Sequence, residues 1–304
     1  MKKHLTLILL CLALMTASCT KPKGYGNLDV KISYSANGKP LIIDTLAYYT
    51  NEAGNHFLVT EIQWFISKIT LVSEQGDEYV LGHREANTLF TTAQEHIFYI
   101  DTNIPESQTL EVAELLCGHY TSMCFTFGLD ETDNQTGLFA NPPERDMFWP
   151  EPLGGGYHYM KLNGKYLDEN GTLIPLNIHL GIGQNEELSQ FYQNYFTVEL
   201  PLDFDIEENH DNRIFLDMNI DNWFRSPHVY DFVTDGSAIM QNQTAQTKLK
   251  ENGSDVFSIK TTEDMKSIPE ISRQIMKMAA PKPHFMTWEN FKNTFSDIKI
   301  KDRS

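Results

Sequence analysis

Two histidines sit in the stretch YHYMKLNGKYLDENGTLIPLNIHLG, residues 157–181: His158 leads into one apolar strand and His179 closes the next. Imidazole is the commonest protein ligand for copper and zinc, so two of them on one face of a hairpin could share an ion. If the turn is the four residues 168–171, His158 pairs opposite Gly181 and His179 opposite Met160. The imidazoles are then diagonal neighbours, roughly 7–8 Å apart at the backbone. That is within reach of one ion through nitrogen–metal bonds of about 2.0–2.1 Å. A one-residue change in loop length would put them on opposite faces. The competing assignment is a pair of half-buried histidines hydrogen-bonded to their neighbours, an ordinary use of imidazole in strands.

The remaining chemistry-bearing residues are scattered. His56 and His228, at strand or loop ends, are candidates for a third ligand, and His56 joins His158 and His179 in the candidate set. His119 lies beside Cys117, whereas His83, His96, His210 and His284 read as surface residues. No HExxH, CxxC or GxSxG occurs, so the zinc-protease, zinc-ribbon and serine-hydrolase signatures are missing. The glycines of PLGGGYHY, residues 152–159, run into a strand and not into a helix start, which is the wrong geometry for a phosphate cradle. Asp168 and Glu169 sit in a turn and read as solvated, not as a general acid and base. No catalytic set emerges, and the chain reads as a binder without turnover.

The elements that must position the histidines follow from period-two alternation between residues 28 and 260. In LDVKISYS (28–35), YTSMCFTFGLD (120–130), FTVELPLDFDI (196–206) and RIFLDMNI (213–220), apolar side chains recur at every second position. Such strands suit antiparallel sheets with one wet face, and TNEAGN, EQGDE and DENGT supply the turns. An all-β antiparallel sandwich with few helices follows. The segment 236–253, GSAIMQNQTAQTKLKENG, reads as one helix starting near Ser237 and stopping at Asn252 and Gly253. After residue 260, Ile268, Ile271, Ile275 and Met278, and then Trp288, Phe291, Phe295 and Ile298, fall at helical spacing. The expected organisation is a β-domain over 28–260 and a short helical C-terminal extension over 261–304.

Residues 1–18, MKKHLTLILLCLALMTAS, have the basic start, short apolar run and small residues of a signal peptide. Small residues ending directly on Cys19 mark that cysteine as the acylated first residue of a bacterial lipoprotein, followed by a tether over 19–27. Removing 1–18 takes away Lys2 and Lys3 and no acid, leaving 22 basic against 41 acidic side chains, a net of −19. That sign argues against nucleic acid and against anionic headgroups, and suits a body that attracts cations or basic partners. With 41% hydrophobic and 12% aromatic residues the chain can bury a full core without disulfides. Cys117 and Cys124 are accordingly expected as two buried thiols, ahead of a disulfide or a soft metal ligand.

The succession of segments carries a further signal. YYTNEAGNHFLVTEIQWFISKITL (48–71), GHYTSMCFTFGLD (118–130), MFWPEPLGGGYHYMKLNG (147–164), NIHLG (177–181), LDMNIDNWF (216–224) and IMQNQTAQTKLKENGSDVFSI (239–259) together resemble the MbnP-like family of extracytoplasmic copper-binding proteins. The resemblance spans about residues 28–260. It implies a β-rich sandwich, a location in the periplasm or at the outer membrane, and a single copper ion. That ion would be held by histidine nitrogens and by a tryptophan oxidised to kynurenine by a dihaem, MauG-like partner. Carried onto this chain, the resemblance places His158 and His179 as ligands and leaves Trp149 and Trp64 as two candidates for the oxidised tryptophan. The chain is thus expected to be a lipid-anchored copper-handling protein. The alternative is a surface lipoprotein that binds a glycan or a protein through exposed aromatics, with structural histidines. The first needs His158 and His179 to converge; the second predicts that they are separated.

Overall fold

In the computed structural model, residues 24–43, 48–82, 95–185 and 190–260 are described. The chain divides into two compact units, Met1–Ser267 and Ile268–Ser304, and every described residue belongs to the first. The signal peptide, Cys19 and the helices expected after residue 260 lie outside the described residues.

Two sheets carry the fold. In the first, β15 (Phe257–Lys260), β14 (Arg213–Asn219), β1 (Tyr25–Ala36) and β2 (Lys39–Pro40) lie in that order, and β7 (Thr109–Leu116) pairs with β1. The second runs β10 (Leu173–Leu180), β9 (Met160–Leu167), β4 (His56–Ser73), β8 (Gly118–Phe127), β13 (Phe196–Ile206). Three short strands, β3 (Tyr49–Thr50), β5 (Glu78–Val80) and β6 (Ile97–Asp101), also pair with β4. A separate two-stranded ribbon joins β11 (Gly183–Gln184) and β12 (Phe191–Tyr192). All pairings are antiparallel except β1 with β14. The inner faces meet through aromatic rings: Trp64 of β4 lies 5.5 Å from Phe257 of β15, and its Nε1 donates to the Tyr34 hydroxyl of β1 at 3.1 Å. The all-β sandwich expected from the alternation is therefore the architecture found.

Three expectations need correction. The strand placed from residue 28 begins at Tyr25, inside the stretch taken as tether. The helix expected from Ser237 is α1, Gln243–Asn252, capped by Asn242, whose side chain accepts from the Ala245 amide at 3.0 Å. It cannot start earlier, because Ser237 and Ala238 run beside β10: the Asn177 amide donates to the Ser237 carbonyl at 2.7 Å. Finally, the outward side of the central strand is only partly wet: Glu61, Gln63 and Lys68 are half-exposed, but Phe65 is covered by the connection between β8 and β9, stacking on Phe139 at 5.3 Å and meeting Tyr157 edge-on at 6.3 Å.

One junction governs this packing. Strands β9 and β8 follow each other along the same edge of β4, β9 pairing with residues 57–64 and β8 with 66–73. They part at Phe65, whose amide donates to the Tyr159 carbonyl at 3.0 Å and whose carbonyl accepts from Gly128 at 2.9 Å. Gly128 has φ of +85°, and a Cβ there would sit 2.7 Å from Cγ of Tyr159. A Gly128→Ala substitution therefore combines a left-handed backbone with a clash. It is expected to lower the unfolding free energy by about 2–4 kcal/mol, read from the urea midpoint. An unchanged midpoint would mean that the junction repacks at no cost.

Candidate metal centre

The hairpin of β9 and β10 turns through five residues, not the expected four. Leu167 pairs with Leu173, and the Asp168 amide donates to the Thr172 carbonyl at 3.0 Å. Consequently His179 pairs with Lys161 and Leu180 with Met160. Continued regularly, that register would put His158 on the face opposite His179. A second departure cancels the first. The Tyr159 amide donates to the Leu180 carbonyl at 2.7 Å although Met160 is already the register partner of Leu180. Two residues therefore face one, which is a β-bulge, and it shifts the alternation of everything before it by one position. His158 returns to the outer face, where His179 already points.

The two imidazoles meet edge to face, with ring centroids 5.2 Å apart. Two imidazoles on one ion, bound at about 2.0–2.1 Å, have centroids on the order of 4.5–6 Å apart. His158 is only 5% exposed. Its Nδ1 lies 2.9 Å from the Met147 carbonyl, which can only accept, so Nδ1 carries the hydrogen and Nε2 the lone pair. That Nε2 is buried with no hydrogen-bond partner. A buried lone pair left unmatched is costly in a native protein and points to a ligand. His179 Nε2 lies 2.8 Å from Asn163 Oδ1.

Trp149 forms the wall of this pocket, its ring 4.6 Å from that of His158 and the residue 1% exposed. The indole Nε1 donates to the Leu153 carbonyl at 3.1 Å, so the turn after it holds the ring in place. Beneath the ring lies Gly181, where a Cβ would come within 2.6 Å of Trp149 Cε3. The Gly181 amide is in turn fixed by Gln246 Oε1 of α1 at 3.1 Å. Of the two candidate tryptophans, only Trp149 therefore lies beside the histidines. Trp64 pairs with Met160 and points into the space between the sheets, the other face of the same strands.

The third proposed ligand does not join. His56 stands at the start of β4, seven residues from Gln63, the residue level with Lys161 and His179. At about 3.3 Å per residue that is roughly 20 Å along the strand. It hydrogen-bonds instead to Thr50 Oγ1 at 2.8 Å. His119 pairs with Asp205 at 3.0 Å, and His228 contacts Glu251. His96 is not simply a surface residue, since its Nε2 lies 3.1 Å from the buried Asp133. Cys117 and Cys124 are free but half-exposed, not buried, because Cys124 alternates with the core residues Met123 and Phe125 and so faces outward. Among the described residues no group of three or more His, Cys, Asp or Glu side chains forms a metal cage.

Lys161, Asn163 and Glu61 escaped sequence reading. They sit on the outer face at or next to the His179 row, Lys161 and Asn163 on β9 and Glu61 on β4. The alternation of Lys161 and Asn163 with core residues was visible, but their relation to His179 needed the true register. Lys161 reaches away, Nζ donating to the Asp146 carbonyl at 2.8 Å. Burial pushes the His158 imidazole down to about 3, the Lys161 charge adding to it while the Met147 hydrogen bond opposes. Burial and then Lys161 push His179 down to about 4. Both rings are therefore neutral, the form a metal requires, at every pH near 7.

A sequence profile of the MbnP family matches residues 25–246. The chain belongs to the MbnP family. A solved MbnP from Methylosinus trichosporium superposes with a TM-score of 0.52 at 13% identity, covering 78% of this chain and 99% of that one. At that identity the likeness concerns the fold. A comparison with curated proteins finds no match.

The histidine pair makes stability depend on pH. An unfolded histidine titrates near 6.5. Between that value and the lower folded values, the unfolded chain takes up protons that the folded chain refuses. The contribution of the neutral imidazoles is complete above about pH 6.5 and is lost as the pH falls through 6 and 5. On going from pH 7.5 to pH 5, metal-free protein is expected to lose about 2–4 kcal/mol more than a His158→Gln, His179→Gln variant does. Denaturant melts at the two pH values measure this; equal losses would mean that the pair is not neutral in the fold.

Proposed function

We propose that this MbnP-family protein binds copper through His158 and His179, with Trp149 as the third element of the site, and that it handles the ion without turnover. The observation that carries this reading is the buried, unpartnered Nε2 of His158 beside the His179 ring. Two neutral nitrogen donors favour copper over other divalent first-row ions, since copper stands at the top of the affinity order. With only two protein imidazoles, the remaining coordination positions would fall to a backbone or tryptophan-derived oxygen or to water. Bound copper would supply a redox-active, imidazole-held ion in a pocket closed by an aromatic ring. The convergence of the histidines is what the copper reading required and what the glycan- or protein-binding alternative did not.

The family is extracytoplasmic, and no described helix is long and apolar enough to cross a membrane. We place the protein in the bacterial cell envelope, tethered by lipid on Cys19, at the outer membrane. Family resemblance implies a tryptophan oxidised to kynurenine by a dihaem, MauG-like peroxidase, and of its two candidates we take Trp149, whose ring lies 4.6 Å from that of His158. That conversion would take two equivalents of hydrogen peroxide, which put one oxygen on each carbon of the cleaved indole C2–C3 bond and leave as two waters; hydrolysis of the resulting N-formyl group then releases C2 as formate.

Metal analysis and intact mass of the mature protein from its native envelope test the reading. One copper per chain is expected, with a mass gain of about 4 Da if the indole has become kynurenine. A His158→Ala, His179→Ala variant is expected to lose the copper. Metal-free, unmodified wild type that also fails to take up added copper would overturn the proposal.

A further inference from the structure

We propose that Glu61, acting through Asn163, determines which ring nitrogen His179 offers to a metal, and that this nitrogen is Nδ1. Asn163 Nδ2 lies 2.9 Å from Glu61 Oε2, and the other carboxylate oxygen, Oε1, accepts from Asn103 Nδ2 at 2.6 Å. A carboxylate offers only acceptors, so it holds the amide nitrogen of Asn163 toward itself; the flipped amide would set oxygen against oxygen. Asn163 Oδ1 is thereby turned toward His179 Nε2, at 2.8 Å. An amide oxygen can only accept, so Nε2 must be the protonated nitrogen of the neutral ring. The lone pair is left on Nδ1.

His158 is set the opposite way, its Nδ1 spent on the Met147 carbonyl and its Nε2 bare. The pair thus presents two different nitrogens, each selected by an acceptor on the far side of the ring. The chain from carboxylate to amide to imidazole crosses three adjacent strands, with Glu61 on β4 in register with Asn163 on β9 and His179 on β10 two rows from Asn163. Glu61 and Asn163 are positioning residues that need touch no ion. Outer-shell partners of this kind fix ring orientation and tautomer, and their loss lowers metal affinity by about 10–100-fold.

The metal half of this inference rests on the proposed copper site; the tautomer half does not, and the experiment separates them. Long-range proton–nitrogen NMR correlations on metal-free protein with labelled histidine report each tautomer. Titration with copper ions reports affinity. Wild type is expected to show the hydrogen on Nε2 of His179 and on Nδ1 of His158. Asn163→Leu should abolish the preference at His179 and weaken copper binding by about 10–100-fold, with an unchanged near-ultraviolet dichroism spectrum. A Glu61→Gln, Asn163→Asp double variant, which keeps an acceptor facing His179, should restore both. A hydrogen on Nδ1 of His179 in wild type, or an Asn163→Leu variant with wild-type tautomer and affinity, overturns the inference. Wild type with the expected tautomers and no copper uptake overturns the copper function and leaves the Glu61–Asn163 assignment standing.

Discussion

Along one edge of β4 two strands compete for the same row of backbone groups. Every amide and carbonyl on that edge needs a partner, because an unmatched buried peptide group costs as much as a lost hydrogen bond. β9 satisfies the edge up to Trp64 and β8 takes over from Ile66, so the chain entering β9 must leave the sheet at Tyr159. The bulge opposite Leu180 is how it leaves, and the bulge is what turns His158 onto the face of His179. Phe65 and Gly128 make the junction possible, the first by bonding to both strands and the second by leaving room for the Tyr159 ring. The histidine pair is thus a consequence of how backbone hydrogen bonds are shared at the centre of the sheet.

The site built there is unusual for so acidic a protein. Trp149 packs on it, the ammonium of Lys161 lies nearby, and the carboxylate of Glu61 is held one residue away from His179 by the Asn163 amide. Burial and Lys161 act in the same direction on both imidazoles, keeping them neutral. A neutral donor pair discriminates against hard cations, which prefer carboxylate and carbonyl oxygens, and favours borderline and soft ions. Long-range negative charge can draw cations toward the protein while the pocket itself chooses among them by donor type.

Trp149 couples this pocket to the rest of the fold. Its ring needs the bare backbone of Gly181 beneath it, Gly181 is tied to Gln246, and Gln246 also accepts from Asn194 at 3.0 Å. Gln246 and Asn194 are both buried, so this polar network is fully desolvated and holds one arrangement. The helix α1, far along the chain, therefore contributes to the position of Trp149 through the Gln246 side chain and Gly181. Trp64 shows the contrary use of the same residue type, an inter-sheet plug with its indole nitrogen satisfied by Tyr34.

Much of this protein was legible in the order of its residues. Period-two alternation specified strands, turn residues specified reversals, and together they implied a sandwich whose family was recognisable from the succession of its segments. The YHY and NIHLG segments also marked the two histidines, because imidazoles in strands of one hairpin can meet only across that hairpin. What alternation could not supply was parity. A fifth turn residue and a bulge each shift the face of a strand by one, and neither leaves a mark in composition; the expected pairing survived because the two shifts cancel. Choosing Trp149 over Trp64 and removing His56 likewise required knowing which face and which end of β4 each occupies. Those are properties of strand register and edge sharing, set by hydrogen bonds between residues far apart in sequence, and only the folded chain decides them.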